Sequence, residues 1–172
     1  GRGNDRMYIR GGSNVKILAG DGDDHIDGDF RYLDAGSGDD FVELYHYDYK
    51  VDYFDGGAGT DELLIIPFYD GAGEGSDLWS SAIKNIEKIT LSGRYLVNLG
   101  DQAAGDGQSI EIDALANGNS SGGTFSVSST FEGDITFKGS VGVDNVTLGK
   151  GDDVVTLGDG DDIVYSGLGS NT

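Results

Sequence analysis

The chain has 172 residues, enough for one domain or one stretch of a repeat array, and 31 acidic against 11 basic side chains give it a formal charge of -20. That balance argues against nucleic acid or an anionic membrane surface as partner, because both are bound through clustered Lys and Arg, and it makes multivalent cations the natural counterpart. No apolar run approaches the roughly 18 residues of a membrane helix, so no membrane insertion is expected, and with no cysteine any bound metal must be a hard, oxygen-loving ion.

The first segment, residues 1–66, repeats one small unit irregularly. "GRGNDRMY" puts Asp5 and Met7 two residues apart behind a Gly-x-Gly pair. Gly20 and Gly22 precede Asp24, Gly36 and Gly38 precede Asp40, and Gly57 and Gly59 precede Asp61, with Ile26, Val42 and Leu63 two residues further on. The aspartates are 16 and 21 residues apart. "GGSNVKIL" from Gly11 keeps the glycines but has Val15 where Asp is expected, so no site is assigned there. A stripe of Tyr45, Tyr47, Tyr49, Val51 and Tyr53 alternates with polar residues. It reads as a half-buried strand, with an aromatic platform for sugars as the functional alternative.

Residues 67–138 lose the Gly-Asp turns and keep the alternation. "KITL" at 88–91, "YLVNL" at 95–99, "SIEIDAL" at 109–115, "TFSVS" at 124–128 and "DITFK" at 134–138 predict strands. "SDLWSSAIKNI" is the one helical candidate, with Ser76 or Asp77 as N-cap and Leu78, Ala82 and Ile86 at a spacing of four. This segment is expected to continue the preceding structure without ion sites, or to form an inserted β-domain.

Residues 139–172 show the repeat at its clearest. "SVGVDNVTL", "GKGDDVVTL", "GDGDDIVYS" and "GLGSNT" keep a period of nine. Gly142, Gly151, Gly160 and Gly169 share one phase, and Gly149 and Gly158 open their units. Asp144, Asp153, Asp162 and Asn171 follow two residues after the phase glycine, and Val146, Val155 and Val164 two later again. Each unit reads as a tight turn followed by a short β-branched strand, and a coil of such units would stack apolar ladders inside and turns outside.

The unit G-x-G-x-D-x-(apolar)-x resembles the calcium-binding nonapeptide of the RTX (repeats in toxin) family. The resemblance implies an all-β fold, a right-handed parallel β-roll or β-solenoid with calcium in its turns, interrupted here by the calcium-poor β segment. It implies that Asp24, Asp40, Asp61, Asp144, Asp153 and Asp162, with Asp5, supply carboxylates to several calcium ions. Backbone carbonyls of the turn glycines Gly20, Gly22, Gly36, Gly38, Gly57, Gly59, Gly142, Gly149, Gly151, Gly158, Gly160 and Gly169 would complete the shells. Two nonads would make one turn, so Asp144 would face Asp162 and Asp153 would face Asn171, whose neutral side chain makes the weaker site. How Asp24, Asp40 and Asp61 pair is left open by their spacing.

The histidines, His25 and His46, are not brought near a serine by any motif, so enzyme activity is not expected. Both ends of the chain fall inside a repeat, which is the expectation for part of a longer array. The alternation of calcium blocks with a calcium-poor segment is similar to surface-layer (S-layer) and large adhesin proteins of bacteria. That similarity points to a secreted, calcium-folded structural module at the cell surface, with other copies in a surface lattice or a cell-surface glycan as partners. The alternatives are the folding and type I secretion module of an exported toxin, protease or lipase, and an adhesin module with a glycan-binding face.

Overall fold

A computed structural model describes residues 1–10, 15–46, 51–67, 76–80, 83–101, 103, 108–114 and 122–172. Among these residues there is no helix, and every strand pairing is parallel.

In chain order the strands are β1 (Arg6–Ile9), β2 (Lys16–Asp21), β3 (His25–Gly28), β4 (Tyr32–Ser37), β5 (Phe41–His46), β6 (Tyr53–Ala58) and β7 (Glu62–Pro67). Then follow β8 (Ser76–Ser80), β9 (Ile83–Lys84), β10 (Lys88–Leu91), β11 (Tyr95–Leu99), β12 (Ile110–Asp113), β13 (Gly123–Val127), β14 (Ile135–Lys138), β15 (Asp144–Thr147), β16 (Val154–Thr156) and β17 (Ile163–Tyr165). One long sheet has the order β1-β3-β5-β7-β10-β12-β14-β16. Two shorter sheets, β2-β4-β6-β9 and β8-β11-β13-β15-β17, take up the alternate strands. The chain therefore coils, returning to the long sheet once per turn. The long sheet runs through 67–138, since β7 pairs with β10, β10 with β12 and β12 with β14.

Successive registers in the long sheet, from Arg6↔His25 to Thr136↔Val154, give coils of 19, 16, 21, 26, 23, 25 and 18 residues. Lengths this uneven stay in register because the inward positions form one unbroken apolar row: Met7, Ile26, Val42, Leu63, Ile89, Ile112, Phe137 and Val155. A slip of one residue in any strand would turn its inward set outward, so the row fixes the register. Opposite it, Ile17, Leu33, Phe54 and Ile83 form one row of the short sheets, and Val97, Phe125, Val146 and Val164 the other. Phe125 and Phe137, 5.4 Å apart at the ring centroids, fill the interior where the coils are wide.

The helix expected over "SDLWSSAIKNI" is not formed. Ser76–Ser80 is β8, paired with β11, and Ile83–Lys84 is β9, paired with β6. Asn85 then turns with φ of +53°, which ends any helical continuation. Open strand edges on both short sheets outweigh a weak helical spacing, as tertiary pairing commonly overrides propensity. Ala82 lies outside the described residues. The strands predicted at 88–91 and 95–99 are found at those positions.

Candidate metal centre

Each coil has two edges: an entry edge, where the chain passes from a short sheet into the long one, and a return edge. Asp5, Asp24, Asp40 and Asp61 immediately precede β1, β3, β5 and β7, with at most one residue between, so all four line the entry edge in consecutive coils. The spacings of 16 and 21 are thus whole coils, and the first segment carries its turn motif on one edge only. In the last segment the motif occupies both edges. Asp144 opens β15 and Asp162 immediately precedes β17 on the return edge, and Asp153 and Asn171 belong to the entry edge.

The glycines let these turns stack at backbone contact. Gly36 has φ of +112°, and a Cβ there would run into the Gly20 carbonyl of the previous coil. Gly20, Gly22, Gly38, Gly57, Gly59, Gly160 and Gly169 share the positive φ. Gly149, Gly151 and Gly158 do not, but a Cβ at each would meet the carbonyl of Phe131, Gly133 or Ser140. Gly142 lies beneath Gly160, whose Cβ would approach the Gly142 carbonyl.

Stacking brings the aspartates into a ladder. One carboxylate oxygen of each accepts the backbone N–H of the equivalent residue one coil earlier. Asp24 takes Asp5 N–H at 2.7 Å, Asp40 takes Asp24 N–H at 2.8 Å and Asp61 takes Asp40 N–H at 2.9 Å. On the return edge Asp162 takes Asp144 N–H at 2.9 Å, and on the entry edge Asn171 takes Asp153 N–H at 3.0 Å. The pairings implied for Asp144 with Asp162 and Asp153 with Asn171 are the ones the coils bring together.

The second carboxylate oxygen is the feature that bears on a metal. In Asp24, Asp40, Asp61 and Asp153 it is buried and has no hydrogen-bond donor, and the four residues are at most 2% exposed. A buried carboxylate oxygen without a donor is costly, and a cation or a proton is what relieves it. Burial pushes the Asp40 carboxyl up to about 6 and the Asp61 carboxyl to about 7, with the neighbouring acids adding to the rise, and burial likewise raises Asp153. The donor set fits a hard divalent cation. Among the described residues no cluster of three or more His, Asp or Glu side chains gathers at one point. Backbone carbonyls must therefore supply much of any ion's shell, which suits calcium's tolerance of six to eight irregular oxygens.

Two members of the predicted set differ. Asp144 is fully buried, yet both its oxygens are hydrogen-bonded, to Tyr95, Gly123 and Ser140. Asn171 spends its Nδ2 on the Ser166 carbonyl at 2.7 Å and so has no second oxygen to present. Asp5 and Asp162, at the two ends of their ladders, are more open to solvent.

Two things were not visible in the sequence. Glu87, in the segment read as free of ion sites, extends the entry-edge ladder: its Oε2 accepts Asp61 N–H at 2.8 Å. The only hint was its place just before "KITL", the position Asp61 holds before its own strand. Second, on the entry edge the residue just before the ligand position forms a ladder of its own in the opposite sense. Asn4 accepts from Asp23 N–H, Asp23 from Asp39 N–H and Asp39 from Thr60 N–H. Asp134 accepts from Asp152 N–H, and Asp152 from Ser170 N–H. The doubled aspartates thus tie each coil both backward and forward.

From the tyrosine stripe, Val51 is buried, and Tyr53 stacks on Tyr32 at 4.4 Å while donating its hydroxyl to Asp55. Tyr47 and Tyr49 lie outside the described residues.

Stacked glycine turns, a ladder of aspartates and parallel strands define a coiled, parallel β-repeat architecture. Residues 138–172 match the family model of the RTX calcium-binding nonapeptide repeat, in four copies. RTX nonapeptide repeats bind calcium, and calcium is the ion of this segment. No curated protein and no solved structure matches the chain.

Proposed function

We propose that the chain is a calcium-folded structural module of a secreted bacterial cell-surface protein, of surface-layer type, built as a right-handed β-roll. Asp24, Asp40, Asp61 and Asp153 hold calcium through their second carboxylate oxygens, with turn carbonyls completing each shell, and Glu87 closes the entry-edge ladder of the first segment. The observation that carries this reading is the set of four buried carboxylate oxygens without donors, all on one edge of the stack. The role is architectural and not enzymatic. RTX repeats are typical of secreted proteins, and no helix of the described residues is long and apolar enough to cross a membrane.

Circular dichroism of the chain in chelator, followed by calcium and then by magnesium, tests the folding role. Strand signal that rises with calcium and not with magnesium supports it; full signal in chelator that calcium leaves unchanged overturns it. Electron microscopy of the parent protein tests the lattice, with ordered arrays that dissolve in chelator expected and dispersed particles in calcium contradicting it.

A further inference from the structure

Tyr95, Gly123 and Asp144 stand in one row of the second short sheet, one per coil. Tyr95 is 3% exposed, and its ring does not stay in its own coil. It runs along the row across Gly123, where an added Cβ would lie 2.7 Å from ring atoms Cγ and Cδ2, and its hydroxyl reaches Asp144 Oδ1 at 2.7 Å. The same carboxylate accepts Ser140 N–H at 2.7 Å on Oδ2, Ser140 Oγ–H at 3.0 Å on Oδ1 and Gly123 N–H at 3.2 Å on Oδ1. Two of those donors come from Ser140, which stands where the following nonads have Gly149 and Gly158. The same nonad has Val143 where the next two have Asp152 and Asp161. The first of these departures supplies a donor that glycine lacks, the Ser140 hydroxyl, to the nonad's own aspartate.

We infer that Asp144, although in the calcium-ligand phase of the repeat, holds no calcium: with Tyr95 and Ser140 it forms a buried latch that joins the middle segment to the regular nonads without metal. A carboxylate that already accepts four hydrogen bonds has little capacity left for a cation, whereas Asp153, on the other edge of the same coils, has a bare oxygen. Tyr95 also serves where a calcium-dependent device would fail. Burial and the adjacent carboxylate raise its hydroxyl well above the ordinary tyrosine range, so the donor keeps its proton. The latch is a positioning device. It fixes the coil that presents Asp153 and Asp162 before calcium arrives.

This inference rests on the reading that donor-free oxygens face calcium, and the test separates the two. Calcium bound per chain is counted by equilibrium dialysis for the wild type, Asp144→Asn and Asp153→Asn. In parallel, the Tyr95 hydroxyl proton, assigned by its loss in Tyr95→Phe, is followed by NMR in chelator and through a calcium titration. Asp153→Asn should lose one ion and Asp144→Asn none, and the hydroxyl proton should be present in chelator and unmoved by calcium. Loss of an ion in Asp144→Asn as in Asp153→Asn overturns the latch, as does a hydroxyl proton absent in chelator or lost when calcium is added. If Asp144→Asn does not fold, the hydroxyl proton of the wild type still decides. A wild type that binds no calcium would refute the proposed function, while the proton in chelator would report on the latch alone. Gly123→Ala should abolish the same signal by displacing the ring.

Discussion

At the scale of single residues, the buried carboxylates make folding and calcium binding respond to pH in opposite directions. Asp40 and Asp61 titrate near 6 and 7 in the folded chain, above the ordinary value of about 3.9 for an unfolded chain, so without calcium the fold binds their protons more tightly. That contribution to stability is complete below about pH 4 and is lost as the pH rises through 6 and then 7. In chelator, denaturant midpoints should therefore fall from pH 4 to pH 7.5. Calcium must displace the same protons, so its affinity should rise over that window, and calorimetry in buffers of different ionisation heat should detect proton release at pH 6.5. Asn171 offers a simpler check. Asn171→Asp replaces Nδ2 with an oxygen and should add one ion or tighten binding on the entry edge; an unchanged isotherm would count against the ladder as a ligand series.

At the scale of elements, the coil is held by contacts that recur once per turn, so damage should stay local and graded. Gly36→Ala combines a left-handed φ with a clash against the Gly20 carbonyl, and about 2 kcal/mol or more of destabilisation is expected in denaturant unfolding with calcium present. Glu87→Ala removes the acceptor for Asp61 N–H and should weaken calcium binding at Asp61 while leaving the nonads of 139–172 unaffected, as hydrogen exchange segment by segment would report. Much of this level was legible in the sequence. Ile26, Val42 and Leu63, placed two residues after their aspartates, do form one inward row, because the turn phase and the strand period of two are both local properties. The pairing of Asp24, Asp40 and Asp61 was not, because a spacing of 16 or 21 does not say whether the extra residues lie in the motif or on the far side of the coil. The strands β8 and β9 were missed for a related reason: what makes them strands is the open edge of a neighbour, which local sequence does not contain. The doubled Asp-Asp pattern was visible, but only stacking at backbone distance shows that Asp23, Asp39 and Asp152, the first of their pairs, are acceptors for the following coil.

At the scale of the whole molecule, the balance between charge and calcium decides how firmly the calcium-bearing coils fold. A formal charge of -20 opposes compaction, and at ten times Kd each site of the kind found in extracellular modules adds about 1.4 kcal/mol. Four such sites together rival the stability of a small domain, about 5 kcal/mol or more. Thermal unfolding followed with rising calcium should accordingly show a midpoint that begins to climb only in the range of about 0.1–1 mM; one that already climbs at micromolar calcium would imply sites much tighter than the extracellular class.

The donor-free carboxylates all lie on the entry edge, and that one-sidedness has a mechanical meaning. The long sheet and the two short ones join the coils across both faces, and calcium adds its fastening to one edge only. Rising calcium then makes bending directional, resisted most where that edge must open. The effect is largest in the first segment, which carries Asp24, Asp40 and Asp61.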